Sequence, residues 1–169
     1  MQNTFQVILI GIFISIGTAC RVNYSFTGGS VSPEVKTVCV KYFTKTIALG
    51  PPNLGQKFSE ALRDKFLLQT KLQQVASNGD FNFEGSITNY STQPLSIQSN
   101  EAAAQNRLTI SVNVKFTNVK DEKQNFETSF SRFADFPASK NLTQVEQALI
   151  TEINTQLVDD IFNKSVVNW

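Results

Sequence analysis

Three spacings of apolar residues recur along the chain, and each predicts a different element. The first is unbroken: Phe5 to Ile16 is apolar except for Gln6, Gly11 and Ser15. The second alternates, as the two-residue period of a strand requires. From Val35 to Phe43, Val38, Val40 and Tyr42 share one side, and Thr37, Cys39 and Lys41 share the other. After the turn signal Asn78-Gly79-Asp80, Phe81, Phe83 and Ile87 alternate with Asn82, Glu84 and Thr88. Gly85 breaks that apolar side and predicts a bulge or the close approach of a helix, and Pro94 predicts an edge or a break. The clearest strand sets Leu108, Ile110, Val112, Val114 and Phe116 against Arg107, Thr109, Ser111, Asn113, Lys115 and Thr117. A charged hairpin, Lys120 to Gln124, leads to Phe126, Thr128 and Phe130, with a phase slip at Arg132-Phe133 that reads as a bulge.

The third spacing is helical. Leu54, Phe58, Ala61, Leu62 and Phe66 follow Pro51-Pro52-Asn53, with Asn53 and Gln56 in a capping-box pattern and an end near Thr70. Val145, Leu149, Ile153, Leu157 and Ile161 mark a second helix from about Thr143 to Asn163, which Thr143 and Glu146 would cap. The order β-α-β-β-β-α predicts an α+β fold. Its form is a two-layer sandwich, a four-stranded mixed or antiparallel sheet with both helices on one face. The first helix is long enough to cross over to a parallel neighbouring strand.

The unbroken apolar segment is too short for a membrane span, which needs about 20 residues, but fits a signal-peptide core. It ends in Gly17-Thr18-Ala19-Cys20, small residues before a cysteine, as in a lipobox whose cysteine becomes the acylated N-terminus. No Lys or Arg precedes it, and Gly17 stands where a larger aliphatic residue is usual. An uncleaved anchor and a Cys20–Cys39 disulfide are the alternatives. The boundaries that follow are a signal peptide over 1–19, a lipidated tether over 20–33 and one α+β domain over 34–169. With Cys20 acylated, Cys39 is expected to be an inert small hydrophobe.

Composition narrows the chemistry. The 169-residue chain has no histidine, so the commonest general base and zinc ligand are missing. A formal charge of +1 gives no global field to attract nucleic acid. Ser129 and Ser131 fit the solvent side of a strand, and Asp159-Asp160 point about 100° apart on a helix and cannot converge on one ligand. Asp121-Glu122-Lys123 lacks the alternating ligands of a calcium loop. No catalytic residue, metal site or cofactor is expected. The polar side of the strand from Arg107 to Thr117 is either an ordinary solvated face or a face that meets a wet partner surface.

The combination resembles the LptE family of lipopolysaccharide-assembly lipoproteins, in its divergent, non-enterobacterial branch. The resemblance is carried by the lipobox cysteine, Tyr24-Ser25-Phe26-Thr27-Gly28-Gly29-Ser30 and the β-α-β-β-β-α order. More specific are Phe58 to Phe66, Asn106 to Ile110, Ser129 to Phe136, and Asp160-Ile161-Phe162-Asn163-Lys164 through Trp169. It implies a non-enzymatic outer-membrane lipoprotein, facing the periplasm and held by its acyl anchor. Such a protein plugs the LptD β-barrel and helps deliver lipopolysaccharide. Candidate glycolipid contacts are Arg107, Lys115 and Lys120, since phosphate groups favour exposed cations. Thr109, Ser111 and Asn113 are the candidate partner interface. A lipoprotein with another envelope partner, or an enzyme using a Ser–Lys or carboxylate pair, are the rival classes.

Overall fold

A computed structural model describes residues 31–95 and 104–166. The signal segment, Cys20, most of the tether and Trp169 lie outside the described residues. The elements are β1 (Thr37–Val40), β2 (Thr44–Lys45), α1 (Leu54–Gln69), β3 (Gln73–Gln74), β4 (Phe81–Leu95), β5 (Gln105–Asn118), a 3-10 turn (Glu122–Gln124), β6 (Phe126–Pro137) and α2 (Leu142–Val166). The sheet runs β3-β1-β4-β5-β6, with β2 also paired to β4. It is a mixed sheet: β1, β2 and β3 make parallel pairs, while β4, β5 and β6 form an antiparallel meander. The crossover through α1 joins parallel neighbours, with Val38 opposite Phe81. The α+β sandwich is as expected, but the sheet has six strands instead of four. The two additional strands, β2 and β3, are two residues each. That is too short to leave a periodic signature.

The inner layer is a single aliphatic and aromatic core. Leu108, Ile110, Val112, Val114 and Phe116 of β5 are all buried, beneath Leu149, Ile153, Leu157 and Ile161 of α2. Phe66 of α1 lies 4.8 Å from Phe83 and 5.0 Å from Phe162, ring centre to ring centre, so one side chain ties both helices to the sheet. Phe116 continues the ring contacts to Phe83 at 4.8 Å and Phe126 at 5.2 Å. Such edge and tilted pairs add about 0.5–1.5 kcal/mol each beyond the area they bury.

Several local expectations are corrected. Tyr42 is exposed beneath Arg63, because β1 ends at Val40 and the chain turns to place Phe43 in the core. The buried Ser59 hydroxyl fixes that turn, accepting from the Phe43 amide at 2.8 Å and donating to the Gly55 carbonyl at 2.7 Å. Gly55 itself is required there, since a Cβ would stand 2.1 Å from the Phe43 carbonyl oxygen. Cys39 is buried on the opposite side of β1, where its thiol donates to the Ala76 carbonyl. Asn53 makes no side-chain cap, and Gln56 bonds Glu60 instead. The second helix starts at Leu142, where Gln144 accepts from the Asn141 amide, and Glu146 accepts from the Tyr90 hydroxyl instead of capping.

Two irregularities fall elsewhere than expected. The bulge in β4 sits at Thr88, between Ile87 and Asn89, and it shifts the phase so that Tyr90 turns inward. Gly85 marks a close approach by β5 and Phe43, not by a helix: a Cβ would lie 2.0 Å from the Asn113 carbonyl oxygen. In β6 there is no bulge. Its pairing with β5 is continuous from Phe126 to Pro137, so Arg132 lies on the helix side and Phe133 on the outer side. Both break the apolar pattern for electrostatic reasons. Arg132 pairs in a bidentate fashion with Asp160 of α2, and Phe133 sits under Arg107. Pro94 is accommodated at the far end of β4, beyond Ile87, where β2 no longer pairs with that strand.

Candidate partner-binding face

No described helix covers the outer side of the sheet. Its surface is built by strand alternation alone, so its chemistry can be read from the cross-strand register. Ser111 lies between Asn89 and Ser131, Asn113 between Ser86 and Ser129, and Thr109 between Ser91 and Phe133. Ser111 donates to the Ser131 hydroxyl at 2.9 Å, and the Asn89 amide donates to Ser91 at 3.2 Å. The three residues expected to form the interface therefore occupy the middle of a continuous hydroxyl and amide surface.

Charged groups punctuate this surface at both ends. Arg107 holds Asp135 through two hydrogen bonds of 2.7 and 2.9 Å. Its guanidinium also stacks 3.5 Å from the centre of the Phe133 ring, which remains 45% exposed. The Asp135 hydrogen bond raises the Arg107 pKa, and Arg107 lowers that of Asp135. About 27 Å along β5, eight residues at 3.4 Å each, Lys115 reaches Glu84 at 3.2 Å. Lys41 of the neighbouring segment reaches the same carboxylate at 2.7 Å. The hydrogen bonds from Lys41 and then Lys115 hold the Glu84 carboxyl below its ordinary range. Around this triad lies a shallow groove of about 570 Å³ lined by Tyr42, Thr44, Ser86, Asn113 and Glu127. A second hollow of about 490 Å³ adjoins it through Lys41 and Glu84 and runs to Asn78 and Val119.

Lys120 stands apart from the other two candidate cations. It lies past the end of β5, 3.4 Å from Asp80. All three candidates thus already face a carboxylate. Asp80 is held from the other side by the Lys36 and Thr37 amides at 2.9 and 3.0 Å and by the Thr37 hydroxyl at 2.9 Å. Those donors, the Lys36 amide foremost, bring its pKa down to about 2. Phe133, Lys41, Glu84 and Tyr42 belong to this face but were not singled out from the sequence. Continuing the alternation of β6 without a slip would have found Phe133. The Lys41–Glu84 contact depends on the β1–β4 register, which no local pattern records.

The suspected chemistry of other motifs resolves into structure. Asp159 pairs with Lys65 at 2.6 Å and Asp160 with Arg132, so the two carboxylates diverge. Among the described residues no group of three His, Cys, Asp or Glu could hold a metal ion, and no helix is long and apolar enough to cross a membrane.

A family and several solved structures are similar to this chain, and two of the structures share its fold with TM-scores above 0.5. The family described as "LptE: Lipopolysaccharide-assembly" matches residues 35–165. A hypothetical protein, CT253 from Chlamydia trachomatis, superposes with a TM-score of 0.54 at 12% identity, over 79% of this chain and 99% of its own. Protein XCC0632 from Xanthomonas campestris gives 0.52 at 12% identity, over 82% and 90%. A minor lipoprotein from Acinetobacter baumannii gives 0.48 at 12% identity, over 76% and 90%. Curated proteins compared by sequence give no match.

Proposed function

Because the chain belongs to the LptE lipopolysaccharide-assembly family, we propose that it is the lipid-anchored plug of an LptD-type outer-membrane barrel. In this reading Cys20 carries the acyl chains, the domain faces the periplasm, and the outer sheet face meets the wet wall of the barrel lumen. The uncovered face of hydroxyls, amides and paired charges carries the proposal. An aqueous β-barrel lumen is polar, and a surface that keeps its own hydrogen bonds can slide against such a wall without stranding buried polar groups. Thr109, Ser111 and Asn113 lie at the centre of that contact.

A photo-crosslinker placed at Ser111 or Asn113 is expected to trap a barrel-sized outer-membrane protein. Adducts from other surfaces but not from this face would move the interface. No adduct from any surface would remove the plug reading and leave a lipoprotein with a different partner.

Arg107, Lys115 and Lys120 are proposed as contacts for glycolipid phosphates. Each must first loosen a carboxylate, so the contacts are weak and salt-sensitive. Substituting Arg107→Gln with Lys115→Gln should lower lipopolysaccharide binding more at low salt than at high salt. Equal binding by wild type and the double variant at both salt concentrations would exclude these residues.

A further inference from the structure

The two edges of the sheet are finished differently. On one side β1 is four residues long and β3 only two. Past the reach of β3, the Val40 carbonyl accepts from the Arg63 guanidinium at 3.3 Å, and the Lys41 amide turns to the Phe83 carbonyl of β4. On the other side β6 runs twelve residues, and no described strand pairs with its far side. It has no lysine, no bulge and no proline before Pro137, the devices that usually blunt an exposed edge. Arg132, its one inward-facing charge, is drawn onto Asp160 of α2.

The phase of the ladder decides which backbone groups of β6 are open. Bonded and non-bonded residue pairs alternate between antiparallel strands. The Ala138 amide bonds the Ala104 carbonyl at 2.8 Å, one step beyond the Gln105–Pro137 pair. Counting back, the even-numbered residues from Phe136 to Phe126 bond β5, and Pro137, which has no N–H, falls at a non-bonded pair. The amides and carbonyls of Glu127, Ser129, Ser131, Phe133 and Asp135 therefore point away from the sheet, with no partner strand among the described residues. Glu127 to Asp135 is about 27 Å of strand at 3.4 Å per residue. The side chains of the same residues lie on the outer face, where Ser129, Ser131 and Phe133 stand opposite Asn113, Ser111 and Thr109. On the inner side Phe126 and Phe130, 6.2 Å apart, are only half-buried.

We infer that the open edge of β6 takes up an extended segment of the barrel partner as a further strand of the sheet. The inference rests on the reading of the chain as a barrel plug. The wall of a closed barrel has no free edge of its own, so the segment is a loop or terminus of the barrel protein outside that wall. A partner that meets Ser111 and Asn113 on the outer face is already one strand away from this edge. Backbone hydrogen bonds attach such a strand, and alternate side chains give it specificity. Apolar residues on its inner side cover Phe126 and Phe130. A cation on its outer side meets Glu127, which forms no ion pair among the described residues. A second copy of this chain fits the full strand less well. Antiparallel self-pairing centred on Ser131 sets Asp135 against Glu127, and centred on Arg132 it sets two guanidiniums opposite each other.

The test uses the full chain, alone and co-expressed with the LptD-type barrel protein of the same cell, with hydrogen exchange resolved to single amides. In the free chain the amides of Ser129, Ser131 and Phe133 are expected to exchange fast and those of Phe130 and Arg132 slowly. In the complex the three fast amides should slow at least tenfold. Slow exchange at all five in the free chain would mean that the chain covers its own edge, and overturns the proposal. Exchange unchanged in the complex overturns the strand pairing and leaves the plug reading intact. Ser129→Pro removes one outward N–H without touching the β5 ladder, as edge strands tolerate, while Ser129→Ala keeps it. Recovery of the barrel should fall several-fold with proline and hold with alanine. Equal recovery with both, or equal loss with both, overturns the backbone pairing. If Ser129→Pro melts below wild type, the exchange measurement on the wild-type complex decides. A wild-type chain that binds no barrel overturns the plug reading and the strand pairing together.

Discussion

The two sides of β5 are made by the same backbone, yet they serve different ends. Leu108, Ile110, Val112, Val114 and Phe116 vanish into the core, while Arg107, Thr109, Ser111, Asn113 and Lys115 stay at the surface. Each inner residue contacts several others, so the inner side over-determines one packing arrangement. The outer side is satisfied pair by pair. Ser111 has Ser131, Arg107 has Asp135, and Lys115 has Glu84. Exposed ion pairs of this kind are worth about 0–1 kcal/mol. The inner side thus fixes the fold, and the outer side is left free to suit a partner.

The comparison breaks most severely from the inside. Ile153 is fully buried, so Ile153→Asp places a charge with no partner beneath the sheet. The expected loss is at least about 3–5 kcal/mol, comparable with the whole stability of a marginal domain. Circular dichroism should show an unfolded or molten chain at ambient temperature. An unchanged melting curve would mean that the α2 stripe is not buried. Gly85→Val tests the boundary between the two sides. Its side chain would collide with the Asn113 carbonyl and the Phe43 ring, for an expected loss of about 1–3 kcal/mol. A variant that melts like wild type would show that β4 and β5 can separate there at no cost.

The legibility of the chain follows the same division. The inner stripes of β5 and α2 were readable because period and burial coincide over many residues. What escaped lay where a short-range pattern meets a long-range contact. Arg132 and Phe133 mimicked a bulge because each is stabilised from another element, Asp160 and Arg107 respectively. The strands β2 and β3 exist only through pairing with β4 and β1. On the outer side the residues of β5 were legible by alternation. The neighbours that complete the face, Lys41 and Glu84 above all, depend on parallel register across a helical crossover.

A smaller effect separates the edge of the fold from its centre. Asp80 clasps the start of β1, and its folded pKa of about 2 lies below the value near 4 expected for an unfolded chain. Its stabilisation is therefore complete above pH 4 and is lost as pH falls through about 2. Asp80→Asn should flatten the acid limb of a stability-against-pH curve between those values. Glu84 and Asp135 are depressed in the same direction but stand on the exposed face, where screening weakens them. If the acid limb of Asp80→Asn matches wild type, the clasp is not the group that titrates.

The smallest effect on folding is the most informative about function. Ser111→Ala removes a hydroxyl whose partner, Ser131, can turn to water, and Asn113→Ala trims an amide at the rim of the shallow groove. Neither vacates core volume, so each should shift stability by no more than about 0.5 kcal/mol. A face that is merely solvated would show nothing else. A face pressed against a polar wall would lose its contacts there, since an unpaired polar group left in the interface costs about 1–3 kcal/mol. The double variant should therefore melt like wild type yet dissociate faster from a co-purified barrel. Measured together, unchanged melting with accelerated dissociation would mark the outer side of β5 as the binding side. Unchanged dissociation would place the contact on the loops or helices, and the two sides of β5 would then differ in burial alone.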